Sequence, residues 1–249
     1  MDKLKDCFIL LLSAGKGTRM GKAGRKIPKT LLKVNDKTIL SYIIKNLKLR
    51  GANEINIILG YKHKKILQEL KSLDIPKINY LTIKDYLNNG SVYSLYRSKK
   101  LWAKSKKKFV LMMHTDLMFN PKFIDNILKS RKKNIIGLRR LKGKKYKMGS
   151  FVGAVDSKMR VKKIGKVKEV TKPYGEILCI NKFSKKTFKL LIKYLKNYFK
   201  KFSTNITWEY PMSDFANRAS LYALKNQNFN WVNINRPSDL VFAKKGFNI

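Results

Sequence analysis

Apolar residues run unbroken through FILLL (8–12), which predicts a short strand buried on both faces and ended by the glycines of SAGKG (13–17). Over 38–49 the rhythm changes: Ile39, Leu40, Ile43, Ile44 and Leu47 recur at helical spacing. INIILG (55–60) predicts a second buried strand, and KHKKILQELKSL (62–73) a second helix that stops before Pro76. INYLTI (78–83), a helical segment over 91–101 and the strand FVLMM (109–113) follow. PKFIDNILKS (121–130) opens with a proline at a helix's first turn, where the missing N–H is no loss. NIIGLRR (134–140), SFVGAVD (150–156) and EILCINKF (176–183) read as strands, and 184–202 as an amphipathic helix.

Strand and helix alternate at short spacing through the first half, which predicts a parallel sheet with helices on both faces. Beyond about 137 the strands have fewer helices between them, so an antiparallel element is expected there. The expected fold class is therefore α/β: a Rossmann-like three-layer α/β/α arrangement around a mixed, mostly parallel sheet. No proline- or glycine-rich linker and no repeat interrupts the chain, so residues 1–249 are expected to form one domain, with 137–230 as a lid-like part.

Charge changes this picture more than composition does. The 44% apolar and 29% charged fractions suit any soluble globular chain, but 57 Lys+Arg against 15 Asp+Glu give a net +42. Residues 101–200 carry 29 of those cations against 5 acids, and 201–249 carry 6 against 3. The runs KSKKK, RKK and KGKKYK look like helix ends and loops. Without zinc-finger spacing, an RNP-like segment or a basic heptad, compositional drift with solubility is preferred over nucleic acid or an anionic surface as the explanation. The charge should still speed encounters with anionic substrates. Cys7 and Cys179 give neither a disulfide framework nor metal spacing and read as small core residues. FILLL is too short to span a membrane, and Asp2 and Asp6 precede it, so a cytoplasmic protein without membrane insertion is expected.

Three segments carry candidate chemistry, each beyond the carboxyl end of a strand, where open α/β sheets bind ligands. In the first, Gly15 and Gly17 allow a tight turn whose N–H groups could hold phosphate oxygens, and Arg19 and Lys29 add fixed positive charge. It is neither a Walker loop nor a dinucleotide fingerprint. In the second, Asp116 stands just past FVLMM, where a hard cation such as Mg2+ would account for an isolated carboxylate as well as a turn or cap would. His114 reads as a core-edge residue and His63 as exposed. In the third, WVNINRPSDL (231–240), Asn235 could reach the same edge, while Asp239 looks like a helix's first-turn acid.

LLSAGKGTRM (11–20) followed by Pro28-Lys29 resembles the signature of the nucleotidylyltransferases that couple a nucleoside triphosphate to a sugar 1-phosphate or a similar small phosphate. NNGSVYSL (88–95) resembles that family's base-binding segment, HTDLMF (114–119) its metal-binding segment, and GEILCINKFS (175–184) the strand with its Gly-Glu pair. WVNINRPSDL resembles the closing W-x-x-I-D-T-x-x-D-L, so the likeness spans the whole chain. It implies a nucleotide-binding half over 1–136 and an acceptor-binding half with the closing metal motif over 137–249. The backbone around Leu12, Ser13, Ala14 and Gly15 would then contact base and ribose. Asn88 or Asn89 would help read the base edge, and Gly90 and Ser91 would close its pocket. Gly17, Thr18 and Arg19 would hold the triphosphate and Lys29 the α-phosphate, which gives Arg19, Lys29 and Asp116 the catalytic roles. Asp116 would bind Mg2+ with position 235, where Asn stands in place of the usual Asp. Leu178-Cys179 also departs from the frequent small residue after the Gly-Glu pair.

The NNGSVYSLY arrangement and the Trp208-Glu209 pair look most like the compact cytidylyltransferases, which act on phosphocholine, 2-aminoethylphosphonate or related phosphonates. This makes CTP the favoured nucleotide, with Glu176, Trp208 and Glu209 on the acceptor side. An acid among aromatics, as in ITWEYPMSDF (206–215), suits an alkylammonium group, although Glu209 or Asp214 could instead support a metal. The alternatives are a sugar-1-phosphate nucleotidylyltransferase and a non-catalytic nucleotide-binding protein. The oligomeric state stays open, with a homodimer in view.

Overall fold

The computed structural model describes residues 4–140, 146, 149–225, 227 and 229–247, the side chains of Ala23 and Arg25 aside. The lysine run over 142–147 therefore lies outside the described residues, except for Tyr146. The strands are β1 (Cys7–Ser13), β2 (Lys33–Val34), β3 (Lys37–Thr38), β4 (Glu54–Leu59), β5 (Lys77–Thr82), β6 (Phe109–His114), β7 (Leu117–Phe119), β8 (Ile135–Arg139), β9 (Phe151–Val155), β10 (Val161–Lys166), β11 (Gly175–Ser184) and β12 (Trp231–Asn233). The helices are α1 (Gly21–Lys26), α2 (Ile39–Lys48), α3 (His63–Lys71), α4 (Ser91–Arg97), α5 (Lys99–Trp102), α6 (Lys122–Lys129), α7 (Lys185–Tyr198), α8 (Glu209–Arg218) and α9 (Pro237–Gly246).

Strands β6, β1, β4 and β5 lie side by side and parallel, and β11 continues the sheet antiparallel to β6. Its other partners, β8 and β9, are also antiparallel to it, and β10 closes that edge on β9. The expected mixed, mostly parallel sheet is present, with its antiparallel part formed from β8 (Ile135–Arg139) onward.

All seven residues of β1 are buried, as an apolar run predicts, yet they serve two cores. Cys7, Ile9 and Leu11 face a core with α2, α3, α6 and α9, while Phe8, Leu10 and Leu12 face one with α4, α5, α7 and α8. Period-two alternation thus places a helix layer on each face, completing the three-layer α/β/α class. Helix α2 starts where Thr38 Oγ1 accepts from the Ser41 N–H at 3.0 Å, and α7 where Ser184 Oγ accepts from the Thr187 N–H at 3.2 Å. Their apolar stripes, Ile39–Leu47 and Phe188–Leu195, seal opposite faces of the sheet.

Sequence pattern did not reveal every element. The segment 91–101 is two helices, α4 and α5, that meet at Ser98, and 184–202 is helical only to Tyr198. The short pairs β2–β3 and β7–β12 carry too few residues for a period to show. β11 bulges between Ile177 and Asn181, where Cys179 has a φ of 56°. A left-handed residue inside a strand re-aims its side chain, and here the thiol turns toward the end of the sheet described next.

Candidate functional site

Past β1 the chain turns over 14–17, held from two sides: the Tyr61 N–H donates to Ala14 O at 3.0 Å, and Thr115 Oγ1 donates to Leu12 O at 3.2 Å. Leu12, Ser13 and Ala14 are buried, so the backbone is what this segment offers, and the space a Cβ would take on Gly15 is open. Gly17 has a φ of 67°, and a Cβ there would stand 2.5 Å from Lys29 Cγ. Glycine is required on both counts, since the turn needs left-handed backbone and Lys29 runs close beneath it. Thr18 and Arg19 follow in an exposed 3-10 turn.

Asp116 sits between β6 and β7. The Ile234 N–H donates to its carbonyl at 2.8 Å, which extends the β7–β12 ladder and delivers Asn235 to the same place. Asp239 accepts from the backbone N–H groups of Asn235 at 3.0 Å and Arg236 at 2.9 Å, so the first-turn acid of α9 fixes the loop that carries Asn235.

Four of the expected residues come together here. Lys29 Nζ donates to Asp116 Oδ2 and, at 3.0 Å, to Asn235 Oδ1. Arg19 donates to the same Asn235 oxygen at 3.0 Å. Only 14% of the Lys29 side chain and 20% of the Asp116 side chain remain exposed. Burial alone would raise the Asp116 carboxyl, but the Lys29 ammonium, aided by His114, outweighs it and holds the group below its ordinary value. His114 Nδ1 stands 4.0 Å from Asp116 Oδ1. Among the described residues no group of three or more His, Cys, Asp or Glu is placed to hold a metal ion.

A second group lies beside the first. Cys179 Sγ approaches Glu209 Oε1 at 3.8 Å, and its thiol is pushed well above its ordinary value by burial, by Glu209 and by Asp116. Glu209 is only 7% exposed, and its Oε2 is buried without a hydrogen-bond partner among the described residues. Trp208 is wholly buried, with its ring edge-on to His114 at 6.2 Å, so it lines the floor of this region rather than its surface. The Trp208 backbone N–H donates to Ser91 Oγ at 3.0 Å. Gly90 lies so close to the chain over 204–206 that a Cβ would stand 1.9 Å from Ile206 O, so the turn opening α4 is fastened to the segment leading into α8.

The remaining candidates are placed differently. Asn89 Nδ2 donates to Asp85 at 2.7 Å from the carboxylate and 3.0 Å from the carbonyl, while Asn88 is exposed. Glu176 accepts from Ser150 Oγ at 2.6 Å and lies in register with Arg139 of β8.

One residue escaped the sequence reading. Lys166, at the end of β10, stands 3.7 Å over the Phe151 ring and donates to Gly149 O at 2.8 Å. Burial lowers its ammonium, attraction to Glu209 opposes that, and Arg19 adds repulsion. It therefore shares a field with both groups. In a chain of 57 cations no sequence signal marks it out.

Residues 9–179 match the model of the MobA-like NTP transferase domain. The choline-phosphate cytidylyltransferase of Streptococcus pneumoniae is 38% identical over 100 residues, 39% of this chain and 41% of that protein. The matching segments span less than half the length of the first curated relatives. Among solved structures, the inositol-1-phosphate CTP transferase from T. maritima superposes with a TM-score of 0.77 at 15% identity, over 97% of each chain. The CTP:phosphocholine cytidylyltransferase from S. pneumoniae superposes with a TM-score of 0.72 at 20% identity, over 96% of this chain and 98% of that one. At those identities the likeness is one of fold.

Proposed function

The chain belongs to the MobA-like NTP transferase domain family, and from that premise we propose that it transfers a nucleotidyl group to a small acceptor and releases pyrophosphate. The favoured pair is CTP with a phosphate or phosphonate such as phosphocholine or 2-aminoethylphosphonate. One observation carries the reading: Arg19, Lys29, Asp116 and Asn235 converge beyond the carboxyl ends of β1 and β6, beside an open glycine turn.

In this reading the backbone of 12–15 meets base and ribose, with Asn88 or Asn89 at the base edge and Gly90 and Ser91 closing the pocket. The N–H groups around Gly17 and Thr18, with Arg19, take the triphosphate, and Lys29 takes the α-phosphate. The Asp116 carboxylate and the Asn235 amide oxygen already converge on a single cation, the Lys29 ammonium. That donor set fits Mg2+, which takes one or two protein oxygens and completes its shell with phosphates and water. Bound there, magnesium would supply charge neutralisation at the reacting phosphate. Asp116, held ionised by Lys29, needs no proton removed to serve as a ligand.

The acceptor oxygen is an anion at neutral pH, so it can attack the α-phosphorus in line without a general base. The new P–O bond forms as the bond to the β-phosphate oxygen breaks, and pyrophosphate carries away that electron pair. The task left to the chain is to bring two anions together and to oppose the charge that builds up, which suits Arg19 and Lys29. On the acceptor side, the half-satisfied Glu209 carboxylate, with Trp208 beneath it, would pair with an alkylammonium group. Glu176 would support that side from β11.

The test is pyrophosphate release with Mg2+ from ATP, CTP, GTP, UTP and dTTP, each against phosphocholine, 2-aminoethylphosphonate, hydroxyalkylphosphonates and hexose 1-phosphates. CTP with an amine-bearing acceptor is expected to give the highest kcat/KM. Preference for a hexose 1-phosphate would overturn the acceptor, and binding without release for any pair would overturn catalysis.

A further inference from the structure

The excess positive charge is not spread evenly over the fold. The longest stretch without Asp or Glu is 177–208, with eight Lys and Arg, followed at thirty residues each by 86–115, with seven, and 126–155, with ten. The stretches 86–115 and 177–208 fold against each other in one helix layer. The Trp102 and Phe188 rings meet at 5.4 Å and those of Tyr96 and Phe199 at 5.3 Å, while Lys185 Nζ donates to Ser105 O at 2.7 Å. In the opposite layer and its edge, three cations have acid partners: Arg50 pairs with Asp125 at 2.7 Å, Lys48 with Asp74 at 2.9 Å, and Lys77 lies 3.8 Å from Glu54. Helices α4, α5 and α7 carry no acid at all. At the rim of the cationic face, the described acids are Asp6, whose carbonyl accepts from the Lys108 N–H at 3.1 Å, and Asp214, beside Tyr194 and Tyr198.

The solvent side of α7 carries Lys186, Lys189, Lys193 and Lys196, with Leu190, 44% exposed, set among them. Just past its end, Phe202 is 54% exposed and stacks on Tyr198 at 4.4 Å. Water-facing lysines around exposed apolar side chains, on a helix whose other face is anchored in the core, form the pattern of a surface that lies on an anionic interface. The ammonium groups reach the headgroups while the apolar groups enter the boundary.

We infer that the face built from α5, the 103–108 loop and α7 docks peripherally on an anionic lipid bilayer. Lipid is favoured over nucleic acid by three features. Of the fifteen cations in the two stretches only Arg97 is an arginine, the residue that dominates base and phosphate forks. The face is carried by two helices, α5 and α7, and the exposed Leu190 suits acyl chains rather than a base. No helix among the described residues is long and apolar enough to cross a membrane, so the contact is a surface one.

The experiment is co-flotation of the full chain with phosphatidylcholine vesicles and with vesicles holding about one third phosphatidylglycerol, in ~0.1 M salt. The chain should float only with the anionic vesicles. Combining Lys186→Glu, Lys189→Glu and Lys193→Glu should weaken binding about tenfold or more. Lys45→Glu, Lys71→Glu and Lys129→Glu make the same charge change in the other layer and should leave binding near wild type. Leu190→Ser with Phe202→Ser changes no charge and should also weaken binding, with circular dichroism confirming that each variant is folded. Failure of the wild type to float, or equal loss in both lysine triples, would overturn the inference. So would unchanged binding in the serine pair, or an α7 triple that loses a single-stranded oligonucleotide but keeps vesicles.

Discussion

Lys29 and Asp116, 87 positions apart in the chain, meet as an ion pair at the carboxyl end of the parallel strands, and Asn235 completes the contact by accepting from the same ammonium at 3.0 Å. Three distant segments are thus tied to one cation. Each arrives by a different device: Lys29 by a 3-10 turn after Pro28, Asp116 by the exit from β6, and Asn235 by the β12–α9 loop that Asp239 clamps. The pair is largely desolvated, so removing one partner would strand a charge.

Stability should respond to acid in a direction this pair fixes. The folded-state pKa of Asp116 lies below its unfolded value, so its contribution is present above about pH 4 and is lost as pH falls through the folded value. Urea midpoints of Asp116→Asn should fall below wild type near neutrality and converge with it in strong acid. A constant difference across that range would contradict the assignment.

Asn235 offers an amide oxygen where a carboxylate would bring a full charge. Asn235→Asp is expected to lower the Mg2+ concentration giving half-maximal pyrophosphate release by about tenfold, since ligand charge governs affinity for hard cations. An unchanged or raised requirement would remove position 235 from the metal site.

Glu209 keeps one carboxylate oxygen without a partner among the described residues. Glu209→Gln preserves its shape and removes its charge, and should raise KM for an amine-bearing acceptor at least about tenfold while leaving KM for CTP near wild type. Equal loss for both substrates would reduce Glu209 to a structural residue.

Gly90 tests the fastening of the base-side turn to the α8 side. A methyl there would lie 1.9 Å from Ile206 O, and backbone cannot yield as a flexible side chain can. Gly90→Ala should cost about 1–3 kcal/mol in urea unfolding, the usual penalty for overpacking, and should raise KM for the nucleotide. A variant as stable as wild type would mean that the two segments part readily.

Much of this was legible in the sequence because the signals were local. FILLL, INIILG and FVLMM could only be buried strands, and a carboxylate straight after the last of them needed a reason to be there. The arrival of Asn235 was not derivable from local pattern. It depends on β12 pairing with β7, three residues against three, and such a pairing has no period to read. Trp208 was placed on the acceptor side, and its complete burial among the core residues of α4, α7 and α8 is a matter of packing that no spacing reveals. The left-handed Cys179 was hidden because a bulge depends on the register of neighbouring strands. Lys166 was hidden by abundance.

The most direct measurement is a crystal structure of the chain with CTP and Mg2+. Phosphates are expected over the 14–19 turn, between the Arg19 guanidinium and the Lys29 ammonium, with magnesium on the oxygens of Asp116 and Asn235. Nucleotide bound away from that turn, with the Lys29–Asp116 contact undisturbed, would contradict that placement.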